Sequence, residues 1–175
     1  MLQSLFLWFY CLPIPSIILL FVLAALAFRR LMLRWRVGSA VLLALWLVVM
    51  LQFTILSRTA SVSGSAFSWI PFHSYREMLA TGNREILRSN FMNVVLFYPA
   101  GLLFGAILPK RWRFPVTAVV FALFSLSIEI AQHSLFLGRG EIDDVLHNTL
   151  GAMLGCMALS LEPKLFPTKK KEQTP

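Results

Sequence analysis

The sequence predicts an all-α, polytopic membrane protein: a bundle of about five transmembrane helices with an interfacial outer loop. Its 175 residues are 58% hydrophobic and only 14% charged, which is too apolar for an ordinary soluble domain of this size. Runs of about 20 apolar residues recur along the chain, and each is long enough to cross the ~30 Å hydrocarbon core as a helix. We therefore treat residues 1–175 as one membrane domain.

Five apolar runs are candidate spans. They are Leu5 to Phe28, Val37 to Ser57, Phe91 to Leu108, Phe114 to Gln132 and Val145 to Leu161. The first lacks a basic n-region and is longer than the apolar part of a signal peptide, so we expect an anchoring span rather than a cleaved one. The two cysteines lie in apolar spans without CxxC spacing, and we interpret them as packing residues.

Basic residues alternate along the chain in a way that predicts topology. Eleven of the sixteen lie in three groups: Arg29, Arg30, Arg34 and Arg36; Lys110, Arg111 and Arg113; and Lys164, Lys169, Lys170 and Lys171. The positive-inside rule then places the N-terminus outside and the basic tail at 162–175 in the cytoplasm, with the loops at 58–90 and 134–144 outside. The net charge of +8 thus reflects membrane orientation, and we expect no nucleic-acid partner.

The long loop at 58–90 is predicted to lie on the outer membrane interface. Its Trp69-Ile70-Pro71-Phe72 segment carries the amphipathic aromatic residues that settle there. We expect two short helical pieces in the loop. The first would begin with a capping box at Ser74 to Glu77 and end at Gly82.

The third span contains features of close helix packing. Gly101 and Gly105 form a GxxxG pattern, which lets another helix approach and could also join copies of the chain into an oligomer. Pro99 removes a backbone donor, so we expect a kink or local unwinding that leaves carbonyls for a neighbour or ligand. Asn93 lies at the outer start of this span.

Polar residues interrupt the last two spans. Ser125, Glu129 and Gln132 share one side of the fourth span at i, i+4 and i+7. An ionisable residue near the centre of a span costs roughly 2.5–3.5 kcal/mol on insertion scales, so these side chains must face the bundle. The fifth span carries a second stripe at Asp144, Asn148, Gly151 and Gly155. Asp143 and Asp144 lie in its first turn, where capping is an alternative explanation for at least one of them.

Four motifs occur together in the order and spacing of a known family. They are Ile70-Pro71-Phe72, then NxxxFxPxG at Asn93 to Gly101, IExxQ at Ile128 to Gln132, and IDDxxxNTxGxxxG at Ile142 to Gly155. In this motif-bearing region, residues 70–155, the chain resembles the VanZ-like membrane protein family. His147 lies outside the family pattern, and Trp69 departs from it.

The resemblance implies a small multi-pass protein of the bacterial cytoplasmic membrane. A named member of the family is associated with low-level teicoplanin resistance, so a role in resistance at the cell envelope is implied as well. Carried over position by position, the motifs implicate these residues: Asn93, Pro99, Gly101, Glu129, Gln132, Asp143, Asp144, Asn148, Gly151 and Gly155.

Two functional hypotheses follow, with binding favoured over catalysis. In the first, Asn93, Glu129, Gln132, Arg139, Asp143, Asp144 and Asn148 bind the polar head of a membrane lipid or a lipid-linked envelope precursor at the outer leaflet. In the second, Glu129 is a general acid or base with Asp143 or Asp144 as its partner, in a hydrolase or transferase acting on such a substrate. No nucleophile motif such as GxSxG is present, and we expect neither a cofactor nor a metal. A third interpretation treats the polar groups as interhelical glue, although each such hydrogen bond is worth only about 0.6–2 kcal/mol.

Overall fold

The computed structural model describes residues 35–56, residue 58 and residues 67–159, and these residues form a helical bundle. Its helices are α1 (Arg36–Leu51, continued by a π-helical turn at Gln52–Leu56), α2 (His73–Thr81), α3 (Glu85–Ile107), α4 (Arg113–Ser134) and α5 (Ile142–Ala158). Within these ranges the backbone pairing between extended segments is a single bridge of Ser68 with Glu141. The predicted all-α class is confirmed. The predicted first span and the basic tail lie outside the described residues.

Three of the described helices are long and apolar enough to cross a membrane. They are α1 with its π-helical turn (21 residues), α3 (23 residues) and α4 (22 residues). Helix α5 has 17 residues, and at ~1.5 Å per residue it is about 25 Å long, near the lower limit for a span. It begins at Ile142, three residues before the predicted span. The α1 side chains Val37, Leu45 and Val48 are exposed, as expected of a surface that faces lipid.

Helices α3 and α5 are in backbone contact along a row of glycines. A Cβ placed on Gly101 would lie 1.9 Å from the Ala152 carbonyl oxygen, and one on Gly155 would lie 2.0 Å from that of Tyr98. Gly151 approaches Val94 in the same way. Only residues without a side chain permit such an approach, which fixes the depth at which α3 and α5 pair.

Helix α3 departs from the sequence prediction at two places. It begins at Glu85 rather than Phe91. The second short helical piece that we expected in the loop is therefore not separate and forms the first turns of α3. Helix α3 also continues through Pro99 as one helix, so of the two expected outcomes, a kink or local unwinding, the unwinding does not occur. The helix packs against both α5 and α1.

Aromatic rings fill the apolar layer between α1, α3 and α4. Phe97 is fully buried and meets Phe121 edge to face, with 6.1 Å between the ring centroids. Phe104 packs on the other side of Phe121 at 5.6 Å. The Trp46 indole N–H of α1 donates to the Leu96 carbonyl at 3.0 Å, so α1 is attached to α3 by a polar contact as well.

The N-terminus of α2 is capped from another helix. The predicted capping box at Ser74 to Glu77 was wrong, since the residue before the helix, Phe72, has left-handed backbone angles and no local side chain caps the first turn. The Asp143 carboxylate of α5 accepts hydrogen bonds from the Phe72 N–H at 2.5 Å and the Ser74 N–H at 2.8 Å. At the other end, Gly82 ends the helix with φ 71°, as predicted.

Candidate functional site

One end of the bundle collects acidic and amide side chains from α3, α4 and α5. We call Arg58, Asn93, Glu129 and Asp144 the carboxylate cluster. Glu129 lies five residues before the end of α4 and is 1% exposed. Its Oε2 accepts a hydrogen bond from the Glu141 N–H, just ahead of α5, at 3.0 Å. The polar stripe of α4 therefore faces the bundle, and a backbone donor supports its carboxylate.

Asp144 joins the second carboxylate to the first. Its side chain is hydrogen-bonded by Asn93 of α3, and it lies close enough to Glu129 for the two charges to interact. The Arg58 guanidinium acts electrostatically on both acids. Asp144 and Asn93 are half-buried and Arg58 is exposed, so the cluster is closed on the Glu129 side and accessible on the Arg58 side.

Two buried amides flank Glu129 along α4. One turn deeper, the Asn148 Nδ2 of α5 donates to the Ser125 hydroxyl at 2.8 Å. One turn towards the helix end, the Gln132 Nε2 donates to the Thr54 carbonyl in the π-helical turn, also at 2.8 Å. The amide oxygens of Gln132 and Asn148 accept no hydrogen bond from any residue that the structure describes.

Asp143 faces away from its neighbour Asp144 and belongs to a separate network. Besides the two backbone donors of α2, it accepts a hydrogen bond from the Ser74 hydroxyl at 2.7 Å. The Asn90 amide of α3 donates in turn to that hydroxyl at 3.0 Å. Asp143, Ser74 and Asn90 are all at least 95% buried. Both oxygens of Asp143 are therefore occupied in attaching α2 to α3 and α5.

Further contacts attach α2 and the segment before it to α5 and to the α4–α5 loop. The Tyr75 hydroxyl lies 2.7 Å from His147 Nε2 on α5. Glu77 lies 3.6 Å from Arg139, a residue we predicted as a ligand contact, in the α4–α5 loop. The bridge of Ser68 with Glu141 fastens the segment before α2 to the same loop. Among the described residues, no three His, Cys, Asp or Glu side chains are grouped to hold a metal ion.

Glu141 lies between the loop and the cluster, and its environment is acidic. Burial raises the pKa of its carboxyl group above the ordinary value, and the nearby Glu77 raises it further, whereas Arg139 and His73 act in the opposite direction. The site thus combines several carboxylates with few neutralising charges.

Sequence reasoning missed several residues of this site. Arg58 was counted only among the basic residues outside the three topological groups, although its position directly after an apolar span is a signal for a charge at the membrane surface. Ser74 was assigned to a local cap, and Asn90 was left in a loop. Their roles depend on which helix passes beside them, which local sequence patterns do not contain.

Two comparisons with known proteins place this chain among relatives. The family model described as VanZ/LLP1 matches residues 39–162. Protein VanZ of Enterococcus faecium is 34% identical over 130 residues, which cover 74% of this chain and 74% of that protein. No solved structure matches the chain. The family-model match extends beyond residues 70–155, where the motifs lie, into α1 and past the end of α5.

Proposed function

The chain belongs to the VanZ/LLP1 family, and from that premise we propose that it is a bacterial membrane protein that binds a lipid or lipid-linked envelope precursor at the outer leaflet. The link to glycopeptide resistance that the resemblance implies fits this proposal, because teicoplanin-type antibiotics act at the envelope. Binding would change what the outer surface presents to them.

The carboxylate cluster is the observation that carries the proposal. Glu129 and Asp144 from two helices meet at one end of the bundle, with Asn93 and Arg58 beside them. If these residues only held the helices together, neutral hydrogen-bond partners would suffice, each bond being worth about 0.6–2 kcal/mol. Two acids placed together instead repel each other and cost free energy to bury. Groups kept at such a cost in stability are typical of a ligand site. The partly exposed side of the cluster provides an entrance from the membrane surface.

The orientation of the site follows from the basic residues. Lys110, Arg111 and Arg113 lie at the opposite end of α4 from Glu129, and by the positive-inside rule they support an outward orientation of the cluster. Single cysteines at Ser134 and Lys110, both exposed, test this in a background without native cysteines. An impermeant thiol reagent applied to intact cells should label position 134 and not position 110. Reversed labelling would move the site to the cytoplasmic leaflet and contradict the proposal.

Lipid mass spectrometry on purified protein tests the binding function. We expect the wild-type protein to retain an intact lipid, and Glu129→Gln and Asp144→Asn to lose most of it while still inserting and folding. Glu85→Gln is the matched control. It makes the same Glu-to-Gln change at the first residue of α3, which is exposed and is not part of the carboxylate cluster. Equal lipid retention by all four proteins would contradict the proposal.

Acid–base catalysis on a lipid-linked substrate is the second candidate, and the pairing of Glu129 with Asp144 favours it. Two interacting carboxyl groups in one site can divide the roles of proton donor and acceptor. Catalysis would give a product of changed mass in incubations with the wild type and none with Glu129→Gln. A retained lipid of unchanged mass supports binding instead.

A further inference from the structure

We infer that the carboxylate cluster recognises the ammonium of a lipid head group; this rests on the proposed lipid-binding function. The site offers hydrogen-bond acceptors in excess of donors. When ionised, Glu129 and Asp144 accept hydrogen bonds only, and the flanking Gln132 and Asn148 each have a buried amide oxygen without a donor among the described residues. The group that completes the site must therefore donate hydrogen bonds or coordinate oxygen.

The unpartnered amide oxygens are independent of the acidic residues. Gln132 is 2% exposed and Asn148 is 3% exposed, so water outside the bundle does not reach them freely. The Gln132 amide nitrogen donates to the Thr54 carbonyl, which can only accept, and this fixes which atom of Gln132 is the oxygen. The Asn148 amide nitrogen donates to the Ser125 hydroxyl. A buried acceptor left without a donor is unfavourable, because it has lost its hydrogen bonds to water. Gln132 follows Glu129 in α4 by one helical turn, and Asn148 follows Asp144 in α5 by one turn.

The charges around the cluster also favour a cation. Glu129 is acted on by the charges of Asp144 and Glu141, and Asp144 by those of Glu141 and Asp143. Arg58 is the cation that acts on both acids, and it is exposed.

Two further basic residues near this end of the bundle are engaged elsewhere. Arg139 and His73 lie 3.6 and 3.9 Å from Glu77. A phosphate placed between the carboxylates would add repulsion, whereas an ammonium or metal ion would relieve it. Arg58, at the rim, is then free to contact the phosphate that such a lipid head group carries.

A pair of lipids that differ only in the amine provides the test. Purified protein in phosphatidylglycerol nanodiscs is given equal small fractions of phosphatidylethanolamine and phosphatidylethanol, which share the phosphate and chain, and retained lipid is measured by native mass spectrometry. We expect a preference for phosphatidylethanolamine of roughly tenfold, equivalent to about 1.4 kcal/mol. Glu129→Gln and Asp144→Asn should abolish the preference, and Glu85→Gln should keep it.

Metal conditions separate the two sources of positive charge. The lipid experiment and a thermal unfolding experiment are repeated with a chelator and with added Ca²⁺ or Mg²⁺. An amine preference that survives the chelator supports the lipid ammonium. Stabilisation by metal that Glu129→Gln removes, without an amine preference, contradicts it. Retention of both lipids equally, with no metal effect, overturns the cation inference and leaves lipid binding standing. Retention of neither lipid, with no metal effect, overturns both.

Discussion

Replacing Gly101 with alanine should separate the two central helices. The new Cβ would lie 1.9 Å from the Ala152 carbonyl oxygen, and ordinary contact begins at 3.4 Å, so α3 and α5 must move apart by about 1.5 Å. The obstacle is backbone, which cannot rotate away as a side chain can. Overpacking of this kind costs about 1–3 kcal/mol, and we expect a cost near the upper end of that range because the opposing atoms are backbone. Alanine has a higher helix propensity than glycine, and this offsets about 0.8–1 kcal/mol of the cost. We expect a net destabilisation of about 2 kcal/mol.

Gly105→Ala, one turn further along the same helix, is the matched control. Its nearest obstacles are the Cys156 Sγ and a Leu159 methyl at 3.1 Å, both side-chain atoms that can shift by a few tenths of an ångström. The propensity gain of about 0.8–1 kcal/mol then roughly offsets the crowding, and stability should stay within about 1 kcal/mol of the wild type.

The unfolding free energies of the Gly101→Ala and Gly105→Ala variants test this explanation. They are measured by tryptophan fluorescence in mixed detergent and SDS micelles, where denaturation of helical membrane proteins can be followed at equilibrium. A loss in Gly101→Ala with little change in Gly105→Ala supports backbone contact between α3 and α5. Equal free energies for the two variants would refute the reasoning, because only the identity of the opposing atoms distinguishes the sites.

Two other predictions concern α2 and the α4–α5 loop. Asp143→Asn should weaken the attachment of α2 by about 1.5–3 kcal/mol, the worth of hydrogen bonds to a charged group, and Ser74→Ala by less. Hydrogen exchange should therefore rise in α2 with little change in α4; unchanged protection of α2 would contradict the capping role. Glu141 has a raised pKa in the folded protein, so its contribution to stability is full below its ordinary pKa and is lost as the pH rises through the folded value. The stability of Glu141→Gln relative to wild type should thus increase between acidic and neutral pH, and a flat difference would contradict the assignment.

The sequence alone determined the helical class and the inward-facing stripes. Apolar runs of membrane length have few alternatives to helices, because backbone groups in hydrocarbon must bond within their own segment. The i, i+4 and i+7 spacing of Ser125, Glu129 and Gln132 places them on one side whatever the neighbours are, and lipid is excluded as their partner. With the topology inferred from the basic residues, these two constraints predicted that Asn93, Glu129 and Asp144 belong to one site. In the structure Asn93 is hydrogen-bonded to Asp144, and the charges of Glu129 and Asp144 interact.

Only the tertiary structure decided what the individual polar residues contact. Asp143 and Asp144 are adjacent and chemically identical, yet consecutive helix residues point about 100° apart, so one caps α2 and the other faces Glu129. Which partner each of the two side chains reaches depends on the positions of α2 and α3. The glycine contacts between α3 and α5 fix how α3 lies against α5. Ser74 has all the local features of a cap, but the Asp143 carboxylate binds its backbone N–H more strongly than a neutral side chain would.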